Sequence, residues 1–225
     1  MKEGIKVSQE KAATIEKETK SQSGSQKWKS ERKWRVTASH FGEIIKATDQ
    51  RDMEKLCASM YDPPNLNSKP AIRHGLTYES VALKKFTEIT GKKVLKSGFC
   101  IDPDIPFLGA TPDGFIEGEE AVVEVKCPYS ARKSKISPGK GMTFLEKIGN
   151  TIRLKRTHHY YYQIIGQMQL SKKGKGYFVV FTHEDLFYEE IFHDEDFFLN
   201  SMLPKLKQFY DEEYCPYVAT ALSKK

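Results

Sequence analysis

The chain has 225 residues, with 36 Lys and Arg against 30 Asp and Glu, a net charge of +6 and a hydrophobic share of 39%. That is enough apolar material for one core of ordinary size, which excludes wholesale disorder; no apolar run approaches the ~20 residues of a membrane helix. The start, 1-MKEGIKVSQEKAATIEKETK-20, lacks the apolar centre of a signal peptide, so an intracellular protein is expected, cytoplasmic or nuclear according to its host.

Residues 1–27 are rich in Lys, Glu, Ser and Gln and are expected to be a flexible charged segment, with a helix ordered by a partner as the alternative, followed by one domain over 28–225. Ten of the cations and five of the acids fall in residues 1–35, so this stretch supplies +5 and the rest of the chain only +1. A polyanion would therefore be met by a local patch rather than by a broadly basic body. Packed structure is predicted to begin in 28-WKSERKWRVTASHFGEIIKA-47, where Thr37 or Ser39 can cap a helix and Phe41, Ile44 and Ile45 form its apolar stripe. A Pro/Asn connection over 61–75 precedes a helix over 76–91, with Tyr78, Ala82, Leu83, Phe86 and Ile89 at helical spacing, Gly91 as its C-cap and Glu79 at its buried margin.

From about 93 to 127 the pattern changes to short strands, 93–100, 107–116 and 121–126. A loop spans 132–141, a helix 158–171 and a strand 177–182. The end, 194–214, reads as helix, with Pro204 either kinking it or marking a start. The order of elements predicts an α/β or α+β domain with a mixed, curved sheet. Cys57, Cys100, Cys127 and Cys215 are spaced for neither a metal knuckle nor a disulfide framework, and reduced thiols are expected.

The chemistry concentrates in 109-GATPDGFIEGEEAVVEVKCPYS-130. Side chains alternate along a strand, so in 121-AVVEVK-126 Glu124 and Lys126 share a face that Val123 and Val125 do not. A hairpin can bring Asp113, set between Pro112 and Gly114, close to Glu124. Two carboxylates with room for water suit Mg²⁺ or Mn²⁺, and a neighbouring ammonium can offset the charge that grows when water attacks a phosphodiester. An Asp turn and a Glu/Lys pair on a solvated strand face would look the same. Two further features favour a site: Glu79 on a half-buried helix, and Gln163 and Gln167, four apart on one helical face. His158 and His159, being adjacent, do not share a helical face; their neighbours Tyr160, Tyr161 and Tyr162 are read as packing residues, one of which could stack on a base.

These stretches resemble the YqaJ viral recombinase family, lambda-exonuclease-like members of the PD-(D/E)xK nuclease superfamily, over roughly residues 28–182. The resemblance implies a restriction-endonuclease-like core and a Mg²⁺-dependent nuclease holding two ions. It assigns metal-binding roles to Asp113, Glu124, Glu79 and the Val125 carbonyl, and catalytic roles to Lys126, Glu124, Asp113 and Gln163, with less weight on Gln167. The segment 28-WKSERKWRVTAS-39 is similar to the family's grip on a DNA 5′ phosphate, which places Arg32 and Ser39 there and makes Arg35 a second candidate beside an ordinary structural contact. The activity implied is 5′-to-3′ exonuclease action on linear duplex DNA for recombination or end processing. The implied partners are DNA, copies of the chain in a ring-like trimer or tetramer, and a single-strand annealing protein, with no membrane. An endonuclease or structure-selective DNase using the same site, and a non-catalytic DNA-binding recombination module, stay open as alternatives.

Overall fold

Runs of valine and aromatic residues in the middle of the chain form its central sheet. The computed structural model of the chain describes residues 4–223. Helices α1 (Gln9–Glu18) and α2 (Gln26–Lys33) lead into a short strand β1 (Val36–Thr37), then α3 (Ala38–Ile45), α4 (Met53–Tyr61) and the long α5 (Pro70–Thr90). Strands β2 (Val94–Leu95), β3 (Leu108–Gly109), β4 (Gly114–Ile116) and β5 (Ala121–Lys126) follow, then a β6–β7 hairpin (Leu145–Ile148, Thr151–Leu154) and α6 (His159–Ser171). Strands β8 (Lys175–Phe181) and β9 (Leu186–Phe192) precede a C-terminal helical run made of α7 (Glu195–Phe197), α8 (Leu203–Phe209) and α9 (Cys215–Ser223) joined by π-helical turns.

The main sheet has the order β2-β4-β5-β8-β9, with β5 and β8 parallel and the other pairs antiparallel. This is the mixed sheet between helices that the sequence predicts. Strand alternation sorts β5 between two cores. Ala121, Val123 and Val125 join Ala82 and Phe86 of α5, together with Tyr177 and Val179 of β8. Val122 instead joins the larger core on the other face, with Phe41, Ile44, Ile164, Ile165, Phe178 and the C-terminal Phe198, Met202 and Leu206. Glu124 and Lys126 therefore face the α6 layer. Helices α3 and α6 cross so closely that a Cβ at Gly166 would lie 2.4 Å from the Phe41 ring; this crossing sets how α6 lies against the sheet.

The flexible segment expected over 1–27 needs correction, because residues 9–18 of it are helical. Ser8 caps α1, and Ala12 and Ile15 are buried against Phe99 and Ile101. Side chains complete the dock: Phe99 N donates to Thr19 Oγ1 at 2.7 Å and Gly98 N to Glu16 Oε1 at 2.8 Å. Two buried apolar residues on an otherwise polar helix give no strong periodicity, and their partners lie some eighty positions away. The expected strand 93–100 shrinks to β2, because Gly98 and Phe99 turn to receive α1. Helix α5 starts six residues earlier than predicted, with Pro70 in its first turn, where a missing amide costs nothing; Gly91 ends it in the left-handed conformation as expected, but Ile89 is exposed. Pro204 likewise lies in the first turn of α8, after a π-helical segment. Helix α4, the β6–β7 hairpin and β9 were not predicted. All four cysteines are free thiols, and among the described residues no helix is long and apolar enough to cross a membrane.

Candidate active site

Asp113 enters the site by continuing a strand ladder with its side chain. Strand β4 pairs with β5 from Gly114 opposite Val123. One residue earlier Asp113 N donates to Val123 O at 3.0 Å, and the next amide along β5, Val125 N, donates to Asp113 Oδ2 at 2.7 Å. The carboxylate thus takes the place of a main-chain acceptor while the chain bends away. Gly114 permits this because a Cβ there would lie 2.3 Å from Val94 Cγ1 of β2.

On the other face, Glu124 is 2% exposed and each of its oxygens is engaged. Oε1 accepts from Lys126 Nζ at 2.5 Å and Gln163 Nε2 at 2.7 Å, and Oε2 accepts from Gln167 Nε2 at 2.6 Å. Lys126 also donates to Gln163 Oε1 at 3.2 Å and lies 4.3 Å from the centre of the Tyr160 ring. The two glutamines, one helical turn apart on α6, therefore form a clamp around the Glu/Lys pair. Gln167, given the lesser weight from sequence, is the more buried of the two and also donates to Thr111 O at 3.3 Å. Its Oε1 is buried without a partner. Tyr160 emerges as a site residue; its position three before Gln163 on the same helical face is the signal that could have singled it out.

The electrostatics tie Asp113 and Glu79 to the same centre. Burial, then Glu124 and Glu79, push the Asp113 carboxyl well above the usual range, against the pull of Lys126 and the Val125 amide. Glu79 is raised by burial and by Glu124, with Lys126 opposing. Burial works against the Lys126 charge, yet Glu124, Asp113 and Tyr160 together hold its pKa above the ordinary value. Lys126 is thus a permanent ammonium at neutral pH, a donor rather than a base.

Among the described residues no three His, Cys, Asp or Glu side chains form a ready metal cluster, and Glu124 is engaged by Lys126 and the two glutamines. The donor chemistry nonetheless fits a divalent ion. Burial first, and then the neighbouring acids, make Asp113 and Glu79 resist ionising, and a single ammonium is too little charge to offset this. Val125, between Glu124 and Lys126, has its amide tied to Asp113.

The 5′-phosphate candidates separate. Arg35 is 2% exposed and donates to Pro106 O, Glu31 O, Glu31 Oε2 and Ile5 O at 2.6–3.1 Å. Its guanidinium is engaged within the chain as a structural strut, the ordinary contact that the sequence left open. Arg32 differs: its guanidinium lies 4.2 Å over the Trp28 ring, which is anchored by Nε1 donating to Thr111 Oγ1 at 3.0 Å. Burial lowers the Arg32 pKa to about 10, partly countered by Tyr214, so it stays charged at neutral pH. Among the described residues it has no carboxylate partner. It lines a cleft of about 790 Å³ with Trp28, Lys29, Pro63 and Leu76, and Leu76 lies one turn before Glu79 on α5. Ser39 is exposed in the first turn of α3, its Oγ 3.1 Å from Thr37 Oγ1, so Thr37 occupies the cap position without making the expected capping bond. His158 caps α6 through its ring, accepting from Tyr160 N at 3.2 Å.

The YqaJ-like viral recombinase domain matches residues 27–174. No curated protein matches the chain. Among solved structures the chain is similar to the alkaline exonuclease LHK-Exo of Laribacter hongkongensis, with a TM-score of 0.65 and 19% identity over 89% of this chain and 98% of that one. It is also similar to a phage related exonuclease from Haemophilus somnus 129PT, with a TM-score of 0.57 and 13% identity over 85% and 96%. KSHV SOX in an RNA complex gives a TM-score of 0.62 and 13% identity over 96% and 78%. At these identities the likeness is one of fold, and it makes the core restriction-endonuclease-like.

Proposed function

Because the chain belongs to the YqaJ-like viral recombinase domain family, within the PD-(D/E)xK nuclease superfamily, we propose that it is a metal-dependent DNA exonuclease that degrades linear duplex from the 5′ end. The observation that carries this reading is the Glu124–Lys126 pair held between Gln163 and Gln167, with Asp113 and Glu79 in the same electrostatic field.

Asp113, Glu124, Glu79 and the Val125 carbonyl would hold Mg²⁺, with Mn²⁺ as a substitute and two ions as the expected number. When bound, such an ion withdraws charge from the phosphate and makes water easier to deprotonate. The chain's own groups do the rest. Lys126, charged throughout the neutral range, orients the attacking water and offsets the negative charge that builds on the phosphate oxygens. Gln163 holds Lys126 and Glu124 in register by donating to one and accepting from the other, so neither side chain needs to reorganise during attack. Tyr160 shields the ammonium from water on one side. Arg32, a charged and partly desolvated guanidinium with no carboxylate partner among the described residues, suits the terminal phosphate, with Ser39 as a further donor. Ring-like assembly as a trimer or tetramer, cooperation with a single-strand annealing protein and an intracellular place of action belong to the same proposal.

The test compares linear duplexes labelled at either 5′ or 3′ end with covalently closed circles, all with Mg²⁺. Expected are loss of the 5′ label first and intact circles. Rapid cleavage of the circles would replace the exonuclease by an endonuclease. Absence of Mg²⁺-dependent hydrolysis on every substrate would leave a DNA-binding recombination module.

Arg32→Ala is expected to slow hydrolysis of 5′-phosphorylated ends roughly ten-fold or more, the worth of a charge-assisted contact, with little change on ends bearing a 5′ hydroxyl. Single-turnover rates on the two kinds of end measure this. Equal losses on both would remove the phosphate clamp from the proposal.

A further inference from the structure

Just past Lys126 the chain carries a second feature that the hydrolytic chemistry does not use. Residues 127–141 contain Arg132, Lys133, Lys135 and Lys140 and no acid, and among the described residues none of these cations has an ion-pair partner. Near the start of the segment is Tyr129, which is 36% exposed. Arg132 lies 4.0 Å over the Tyr129 ring and donates through Nη1 to Tyr129 O at 2.7 Å. Its own carbonyl accepts from His183 N at 2.8 Å, which ties the loop to the end of β8.

Beneath this stack is His74. It is 7% exposed, and its Nε2 is buried with no hydrogen-bond partner among the described residues. Its ring centre lies 4.5 Å from Tyr78, 5.5 Å from His183 and 5.6 Å from Tyr129, and Tyr78 and His183 are 4.7 Å apart. Burial, with His183 and Arg132 nearby, lowers the His74 pKa, so the ring is neutral and offers one donor and one acceptor nitrogen. Helix-to-sheet packing alone would be served by side chains without polar atoms, as it is further along α5 at Ala82 and Phe86. Leaving a buried nitrogen unmet is destabilising, which points to a group that meets it in use. The cluster adjoins the reacting centre through two short links, since Tyr78 precedes Glu79 on α5 and Tyr129 follows Lys126 by three residues.

We propose that His74, Tyr78, Tyr129, His183 and Arg132 form a seat for one unpaired nucleotide flanking the phosphodiester to be cut. The base joins the stack of aromatic rings and guanidinium, as bases do on such planes in single-strand binders. Its polar edge is met by His74 Nε2, and Lys133 and Lys135 lie along the strand that leads away. The proposal rests on the nuclease reading for the identity of the strand, but its test does not require cleavage.

The experiment uses the whole chain in EDTA and an oligonucleotide duplex with a short single-stranded 5′ end carrying 2-aminopurine, whose fluorescence is quenched when it stacks. Quenching is expected on binding by the wild-type chain. Tyr129→Ala and His183→Ala, both at exposed positions, are expected to restore the fluorescence and weaken binding about ten-fold, within the range for one base stacked on an aromatic ring. Tyr129→Phe is expected to keep both. Arg132→Ala is expected to lower the slope of affinity against salt by about one, whereas Tyr129→Ala leaves that slope unchanged. Unaltered quenching in both alanine variants, or a loss of affinity confined to the salt slope, would overturn the seat. If no substrate is hydrolysed with Mg²⁺, the nuclease reading fails while this binding result still decides the seat.

Discussion

Lys126→Ala is expected to lower the rate of phosphodiester hydrolysis by about 10²–10³-fold, the usual loss when one preorganised charge-stabilising donor is removed, while DNA binding in EDTA stays within a few-fold. The ammonium is positioned by three groups on two elements, Glu124 on its own strand and Gln163 and Tyr160 on α6. It is held charged by Glu124 and Asp113 against the opposing effect of burial. Its contribution is therefore made to charge that grows during attack and not to the resting complex, so the loss falls on the single-turnover rate and not on affinity. Folding needs a separate check. Removing one partner of a buried pair costs about 3–5 kcal/mol, and Glu124 would keep only the two glutamine amides. Lys126→Gln retains a donor without the charge, so a folded Lys126→Gln chain is expected to be as slow as the alanine variant. Full hydrolysis in either folded variant would show that the ammonium has no part in the reaction.

Asp113→Asn is expected to have two opposite effects. Mg²⁺-dependent hydrolysis should fall by more than about a hundred-fold, since even changes to groups behind a metal ligand cost 10–100-fold. The metal-free protein should become more stable at pH 7. Asparagine can still accept from Val125 N, as Asp113 Oδ2 does, but carries no charge toward Glu124 and Glu79. The pH dependence follows from the direction of the shift. The Asp113 carboxyl is raised in the folded state. Below about pH 4, the ordinary carboxylate range, it is protonated in folded and unfolded chains alike and costs nothing. As pH rises from there, the unfolded chain ionises freely and the folded chain resists, so the stability of the wild type falls until the folded pKa is passed. Melting temperatures of the two chains should thus converge in acid and separate toward neutrality, at about 2–4 °C per kcal/mol for a chain of this size. Mg²⁺ should raise the wild-type value and leave the variant nearly unmoved. A variant less stable than the wild type at pH 7, or one equally stabilised by Mg²⁺, would mean that Asp113 does not share an ion with Glu124.

Local periodicity was sufficient for the parts of this site that lie on one element. Alternation along 121–126 puts Glu124 and Lys126 on one face, and a four-residue spacing puts Gln163 and Gln167 on one side of α6. The turn residues around Asp113 mark a bend at the head of a hairpin, and the mixed sheet between helices follows from the order of strand and helix patterns. These are properties of backbone geometry that each residue carries with it. Only the tertiary structure decided which faces meet. The close crossing of α3 and α6 at Gly166 sets α6 against β5, so that Gln167 engages the second oxygen of Glu124. Arg32 and Arg35 are alike in sequence, three apart in one basic segment. One is spent on Pro106, Glu31 and Ile5, the other left with an aromatic ring and, among the described residues, no carboxylate, because that depends on chain segments tens of residues away. Helix α1 is ordered for the same reason, its two apolar residues meeting Phe99 and Ile101. Burial, desolvation and the mutual repulsion of Asp113, Glu79 and Glu124 exist only once distant segments are packed together, so the charge balance on which the proposed metal and phosphate sites rest is a property of the fold rather than of any stretch of its sequence.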